Sequence, residues 1–302
     1  MNHREHNTQH RTSSRNQRSR YVVTTGAVAA ATLLCCTLLP SFGYATGIYS
    51  YGIEAPMDYS TNDCNMLANI DLPDTTSSLQ TALNAEGWSG YRYMDTGVTS
   101  DAWPQDLWES CGPDIQGTSG LGNVQGGLDS SYGDSKNLVV FSGHGGPNWM
   151  IWSHTHNGEC TMNLGYHTRL GEMAGASASA AIWAACSVLQ AVPLNDVESF
   201  KWQGLRQQFG FSNEDYTVND RLRDFFNATS TQSNTNAWIN VNSNTSLGKA
   251  AILTMSRTSI ADCWNQSNGN KLKAQVNVLP YNGGPSCGAE PPTQYYCSTF
   301  YN

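Results

Sequence analysis

Two residues suited to nucleophile and base chemistry, Cys186 and His144, each follow a short apolar segment. Residues 137–141 have the composition of a fully buried strand and lead into His144, and residues 178–185 lead in the same way into Cys186. The carboxyl ends of neighbouring parallel strands meet at one edge of a sheet, which would bring imidazole and thiol side by side. Because an imidazole favours the nucleophilic thiolate, the pattern predicts a Cys-His dyad for acyl transfer.

The residues around the dyad fit the same chemistry. Gly143 and Gly145 flank His144 and allow tight backbone turns. The backbone N–H groups of Gly145 and Cys186 are the expected donors to the oxyanion of an acyl-transfer intermediate. Each residue also has a structural alternative: Cys186 as an inert core cysteine and His144 as a turn histidine that donates to the backbone.

These two segments resemble the paired blocks of the caspase-like cysteine peptidases, the group of caspases, legumains, clostripain and gingipains. Residues 139–145 (VVFSGHG) are similar to its apolar block before His-Gly, and residues 181–186 (AIWAAC) to its apolar block ending in Ala-Cys. The histidine comes first, and the spacing of 42 residues is near the roughly 50 of caspases. The resemblance implies a three-layer α/β/α sandwich with a mostly parallel sheet, a His144–Cys186 dyad, a polypeptide substrate and no cofactor.

The resemblance extends to an uncharacterised secreted bacterial family with the same Gly-His-Gly block. Residues 202–205 and 209–211, with Trp103 and Asp106 upstream, carry it, and it covers about residues 47–260. Trp103 and Asp106 are therefore candidates for substrate binding. By charge alone, a group of acids in one long loop suggests a pocket for a basic side chain: Asp101, Asp106, Asp114 and Asp129. The caspase block Gln-Ala-Cys-Arg-Gly is shared only at its centre, so no specificity residue is carried over.

The amino-terminal segment predicts export. Five arginines and one glutamate precede an uncharged apolar stretch, residues 21–39, and small residues at Gly43 and Ala45 suit a signal peptidase. We predict a signal peptide over residues 1–45, a single α/β domain over 46–280 and a disulfide-pinned tail over 281–302. The protein is expected to be secreted; the alternative is an uncleaved segment that anchors it in a membrane.

Charge and cysteines narrow the class of partner. Removal of residues 1–45, which carry a net charge of +4, takes the chain from −8 to −12. This acidity argues against nucleic acid and against anionic membrane surfaces as partners.

Seven cysteines remain, and in an oxidising compartment six can pair and leave Cys186, the one in an apolar segment, as the thiol. A metal site at His154, His156 and Cys160 lacks the usual spacing, and a disulfide at Cys160 is favoured.

Alternating apolar and amphipathic segments predict the elements that position the dyad. Residues 73–86, 199–209 and 218–226 predict helices, and the polar stretch 230–246 predicts a solvated loop. The resulting α/β sheet would hold both residues at its carboxyl edge. Two functions remain open: a secreted cysteine peptidase-like enzyme, or a non-catalytic extracellular binding domain on the same scaffold.

Overall fold

The computed structural model describes most of the region after the amino-terminal segment. Its residues are 49–57, 59, 64, 75–95, 102–107, 127–156, 159–164, 170, 178–190, 205–213, 220–243, 249–256, 258–274 and 295–300. The predicted signal peptide, Cys111, Cys287 and the block 202–204 lie outside these residues. All described residues belong to a single compact unit, Thr46–Asn302.

Ten strands and five α-helices make up the described part. The strands are β1 (Ser50–Pro56), β2 (Ser89–Asp95), β3 (Leu138–Ser142), β4 (His144–Gly146), β5 (Trp149–His156), β6 (Glu159–Asn163), β7 (Ala180–Ala184), β8 (Gln207–Phe211), β9 (Ala250–Ser256) and β10 (Tyr295–Phe300). The helices are α1 (Thr75–Ala85), α2 (Asp129–Tyr132), α3 (Arg221–Ala228), α4 (Asn234–Asn242) and α5 (Ile260–Gly269), with a 3-10 helix at Pro104–Asp106.

The central sheet has seven strands in the order β10-β9-β8-β7-β3-β1-β2. Strands β2, β1, β3, β7 and β8 pair in parallel, β9 runs antiparallel to β8, and β10 runs antiparallel to β9. Six strands therefore share one direction and only β9 opposes them. The predicted mixed α/β fold with a mostly parallel sheet is confirmed at this level.

The two faces of the sheet carry different layers. On the helical face, which we define as the face that buries Ile53 and Phe209, the apolar sides of α1, α3 and α4 complete the core. On the hairpin face, which buries Phe141 and Trp183, the cover is a second, three-stranded antiparallel sheet in the order β4-β5-β6. The 3-10 helix at Pro104–Asp106 lies beside β5 and β6 of this small sheet, and α2 packs on the 3-10 helix. In the described residues, the outer layer on the hairpin face is thus mainly β-structure.

One predicted helix is wrong over its second half. Residues 207–209, assigned to a helix over 199–209, belong to β8, which is buried along its whole length. Gln207 and Gln208 are polar, but both are buried and hydrogen-bonded within the sheet. Gln208 accepts a hydrogen bond from Trp183 Nε1 at 2.6 Å, and Gln207 donates to Thr254 at 3.3 Å. Buried polar pairs of this kind imitate an amphipathic pattern.

The predicted solvated loop over 230–246 is also wrong, because it contains α4. Ser233 caps this helix by accepting a hydrogen bond from the N–H of Asn236 at 3.3 Å. Trp238 is fully buried, and its Nε1 donates to the carbonyl of Gly210 at 3.1 Å. Trp238 is thus the largest of the apolar residues that pack α4 on the sheet, with Ala237 buried beside it. The helices predicted over 73–86 and 218–226 are confirmed as α1 and α3.

Two disulfides are present among the described cysteines. Cys64 bonds to Cys160 in β6, and Cys263 in α5 bonds to Cys297 in β10. The second bridge ties part of the predicted tail to the sheet, since β10 is its edge strand. Among the described residues, no helix is both long and apolar enough to cross a membrane.

Candidate functional site

The register of two adjacent parallel strands places His144 and Cys186 at the same level. Ser142, the last residue of β3, pairs with Ala184, the last residue of β7. A hydrogen bond from the N–H of Gly143 to the carbonyl of Ala184, at 3.2 Å, extends the ladder by one step. His144 lies two residues after Ser142, and Cys186 lies two residues after Ala184. The spacing of 42 residues between the two site residues is therefore the same as the spacing between the paired strand ends. Neighbouring strands lie about 4.8 Å apart, which brings the two backbones close.

Gly145 packs tightly against the turn that carries Cys186. A Cβ added at Gly145 would lie 2.8 Å from Val188 Cγ2, 2.9 Å from Ala185 Cβ and 3.0 Å from the carbonyl oxygen of Trp149. No side chain fits there without movement, because real Cβ atoms do not approach that closely. The turn that carries Cys186 therefore packs directly on the backbone next to His144. The two amides proposed as oxyanion donors belong to these touching segments.

The turn after Cys186 is held by backbone hydrogen bonds. Ser187 adopts a left-handed conformation with φ 55°, and its N–H donates to the carbonyl of Asn213 at 2.8 Å. The N–H of Leu189 donates to Phe211 at 3.0 Å. A non-glycine residue in this conformation requires support from the surrounding structure, and such positions are common at functional sites. The turn is a fixed element that presents Cys186 at the end of β7.

Both side chains of the predicted dyad are half-buried, and Cys186 carries a thiol. This confirms the choice of Cys186 as the cysteine outside the bridges seen here. His144 opens β4 and pairs with Ile151 of β5. The hairpin formed by β4 and β5 turns at Asn148, whose N–H donates to the carbonyl of Val188 at 3.3 Å. The hairpin and the Cys186 turn are thus joined at two points, through Gly145 and through Asn148.

Trp103 and Asp106 lie around the 3-10 helix on the hairpin face. The Trp103 ring is half-buried and lies 5.3 Å from the ring of His154. Asp106 is only 3% exposed, and its carboxylate accepts a hydrogen bond from the N–H of Trp103 at 3.1 Å. This placement gives Asp106 a role in holding the 3-10 helix, and substrate binding by these two residues stays a prediction.

The sequence suggests four acids as a pocket for a basic side chain, and the two that the structure describes do not line an open surface. Asp106 and Asp129 are buried, and Asp101 and Asp114 lie outside the described residues. Burial raises the pKa of Asp106 to about 7, although the hydrogen bond from Trp103 opposes the shift. Glu54 of β1 is fully buried nearby, and burial together with the charge of Asp106 raises its pKa well above the usual value. Two carboxyls with raised pKa values thus lie under the hairpin face.

Cys160 belongs to the disulfide with Cys64, as the sequence favoured over metal ligation. Among the described residues, no group of three or more His, Cys, Asp or Glu side chains is arranged to hold a metal ion.

A residue that sequence reasoning missed is Tyr59, whose ring lies 4.7 Å from that of His144. It lies 85 residues before His144 in the sequence, and no local pattern marks it.

The fold and this site define a mixed α/β domain with a histidine and a thiol after two adjacent strands of a mostly parallel sheet. The chain belongs to a family described as a domain of unknown function (DUF6345), whose model matches residues 61–286. The matched range includes both His144 and Cys186. No curated protein matches the chain.

Proposed function

We propose that the protein is a secreted cysteine peptidase-like enzyme in which Cys186 is the nucleophile and His144 the base and acid. The observation that carries the proposal is the shared register of β3 and β7, which ends both strands at one level. The contact of Gly145 with Ala185 and Val188 supports it, because it brings the two chain segments together. Cys186 is a half-buried thiol, as a nucleophile that a substrate must reach requires.

The proposed reaction is acyl transfer to sulfur followed by hydrolysis. The Cys186 thiol transfers its proton to His144, and the sulfur attacks the carbonyl carbon of a peptide bond. The amides of Gly145 and Cys186 stabilise the oxyanion that forms. His144 then protonates the leaving amine as the C–N bond breaks, which leaves a thioester on Cys186. Water, deprotonated by His144, hydrolyses the thioester and releases a carboxylic acid, and the thiol regains its proton.

Two further observations bear on the setting of this reaction. The resemblance of the two blocks to caspase-like peptidases implies a polypeptide substrate. The disulfides Cys64–Cys160 and Cys263–Cys297 support an oxidising, extracellular compartment.

The test is the rate of alkylation of Cys186 by iodoacetamide between pH 5 and pH 9, followed by peptide mapping. We expect an inflection well below ~8.5, the ordinary thiol value. His144→Ala should move the inflection up to that ordinary value, and Cys186→Ser should remove the labelled peptide. His154→Ala is the matched control, because this half-buried histidine stacks on Trp103 and should leave the profile unchanged.

Hydrolysis is tested separately by digestion of a mixed peptide library and mass spectrometry of the products. We expect cleavage that both Cys186→Ser and His144→Ala abolish. A profile with an ordinary thiol inflection in the wild type and in His144→Ala, together with no cleavage, would refute the enzyme and favour the non-catalytic binding domain.

A further inference from the structure

Tyr59 bridges the backbone of His144 to the next strand of the small sheet. Its side chain is fully buried. The hydroxyl accepts a hydrogen bond from the N–H of His144 at 3.2 Å and donates one to the carbonyl oxygen of Ile151 at 2.8 Å. His144 and Ile151 are paired residues of β4 and β5, so one hydroxyl holds both partners of the pair. A buried hydroxyl with two backbone partners is fixed in direction.

The ring of Tyr59 also contacts the imidazole. The two ring centroids are 4.7 Å apart with an interplanar angle of 67°, an edge-to-face arrangement. The residue before His144 makes room for this contact. A Cβ added at Gly143 would lie 2.7 Å from the Tyr59 hydroxyl oxygen and 2.8 Å from Phe141. This contact explains the first glycine of the Gly-His-Gly block: Gly143 leaves room for Tyr59, the residue that contacts His144.

The Tyr59 segment is tied to the same small sheet by a disulfide. Cys64, five residues after Tyr59, donates its N–H to the carbonyl of Ser153 in β5 at 3.1 Å. Its side chain is bonded to Cys160 of β6, 96 residues away. The disulfide and the hydrogen bond fix Cys64 to the small sheet, a short distance along the chain from Tyr59. Tyr59 is thus held against β4 and β5 at a point close to His144.

We propose that Tyr59 is a positioning residue that sets the backbone and ring orientation of His144, and that the Cys64–Cys160 disulfide keeps Tyr59 in place. The inference rests on the proposed function, because it assigns to Tyr59 a task only if His144 acts on Cys186. Tyr59 acts through His144 and makes no contact with substrate in this assignment. The general reason is that a reactive side chain needs neighbours that lock its orientation.

The test is Tyr59→Phe, which keeps the ring and removes the hydroxyl with both of its hydrogen bonds. We expect the alkylation rate of Cys186 at pH 6.5 to fall about tenfold and the inflection to move toward that of His144→Ala. The matched control is Tyr51→Phe on the helical face. Its hydroxyl donates to Asn84 at 2.8 Å and accepts from Gln80 Nε2 at 3.3 Å, so this variant also loses two hydrogen bonds but should leave the profile of Cys186 unchanged.

The outcomes separate the two proposals. If His144→Ala changes the profile and Tyr59→Phe matches the wild type within twofold, the positioning role is refuted while the dyad stands. If His144→Ala leaves the profile unchanged, the dyad itself fails. Equal changes in Tyr59→Phe and Tyr51→Phe would identify a general loss of stability and would also refute a specific role for Tyr59.

A second variant releases Tyr59 without altering it. The double variant Cys64→Ser with Cys160→Ser removes the bridge, and we expect a shift of the profile in the same direction as Tyr59→Phe but smaller. The corresponding control is Cys263→Ser with Cys297→Ser, which opens the bridge between α5 and β10. No shift in the first pair, or the same shift in both, would contradict the part assigned to the Cys64–Cys160 bridge.

Discussion

The two faces of the central sheet bury different kinds of side chain. The helical face is mainly aromatic and aliphatic, with polar groups such as Trp238 Nε1, which donates to Gly210, and the Tyr51 hydroxyl, which donates to Asn84. The hairpin face also buries two carboxyls, Glu54 and Asp106, whose pKa values are raised. Burial of these two carboxyls predicts that the stability of the hairpin face depends on pH more than that of the helical face.

The difference matters because the candidate site lies with the second face. His144 belongs to the small sheet that covers the hairpin face, and the contacts at Gly145 depend on how that sheet sits against the Cys186 turn. Functional regions commonly occupy the less stable part of a domain. Removal of a helical-face residue should change stability alone, whereas a change on the hairpin face should alter pH dependence or the reactivity of Cys186.

The largest expected effect is on the helical face. Trp238→Ala removes a buried ring that packs on Phe209, Phe211 and Phe225, and should lower the free energy of unfolding by about 3–5 kcal/mol. Urea unfolding at pH 5 and pH 8 should give the same loss at both values. Trp264→Ala, at an exposed tryptophan of α5, is the control and should change little. A loss that depends on pH would contradict the contrast between the faces.

The next effect tests the buried carboxyl on the hairpin face. The folded-state pKa of Asp106 is about 7, above its ordinary 3.8, so its contribution to stability is full below about pH 4 and is lost as pH rises through 7. Asp106→Asn stays neutral and should be more stable than the wild type at pH 8, by on the order of 2–4 kcal/mol, with no gain at pH 4. Unfolding measured from pH 4 to pH 8 checks this.

The control for Asp106→Asn is Asp224→Asn, at an exposed aspartate of α3. It also removes one negative charge, and it should change the free energy of unfolding by less than about 0.5 kcal/mol at every pH. If the two variants show the same pH dependence, net charge and not the burial of Asp106 is the cause.

The next variant, Gly145→Ala, should have a smaller effect on stability and a large effect on the reactivity of Cys186. Gly145→Ala forces a Cβ into Val188 and Ala185 and should lower the free energy of unfolding by about 1–3 kcal/mol. The displaced hairpin should also shift the alkylation profile of Cys186. Gly87→Ala is the control, since Gly87 follows α1 with φ 79° and has open space around it. It should lose comparable stability with an unchanged profile, and parallel changes in both variants would contradict the prediction.

The smallest effect concerns the cap of α4. Ser233→Ala removes the acceptor for the N–H of Asn236 and should lower the free energy of unfolding by about 1 kcal/mol. Ser233→Asp keeps a capping oxygen and should restore most of that loss. Neither variant should alter the alkylation of Cys186, so any change there would show that the two faces are coupled.

Much of the sheet and the order of the two site residues could be predicted because the signals are local. Strands β3 and β7 are almost wholly apolar, and α1 is followed by Gly87, a glycine in the left-handed conformation. The failures have a common cause. Gln207 and Gln208 are polar yet buried in β8, and their hydrogen-bond partners, such as Trp183 and Thr254, lie on other strands. A local pattern carries no information about partners of that kind.

The sequence by itself determined that a histidine and a thiol each follow a buried strand, because the length and composition of those strands are local properties. Only the tertiary structure decided that the two strands are neighbours in a register that ends both at one level. It also decided that Gly145 touches the Cys186 turn and that Tyr59 reaches His144. These contacts join residues far apart in the chain, and packing selects them among many pairings that the sequence allows equally.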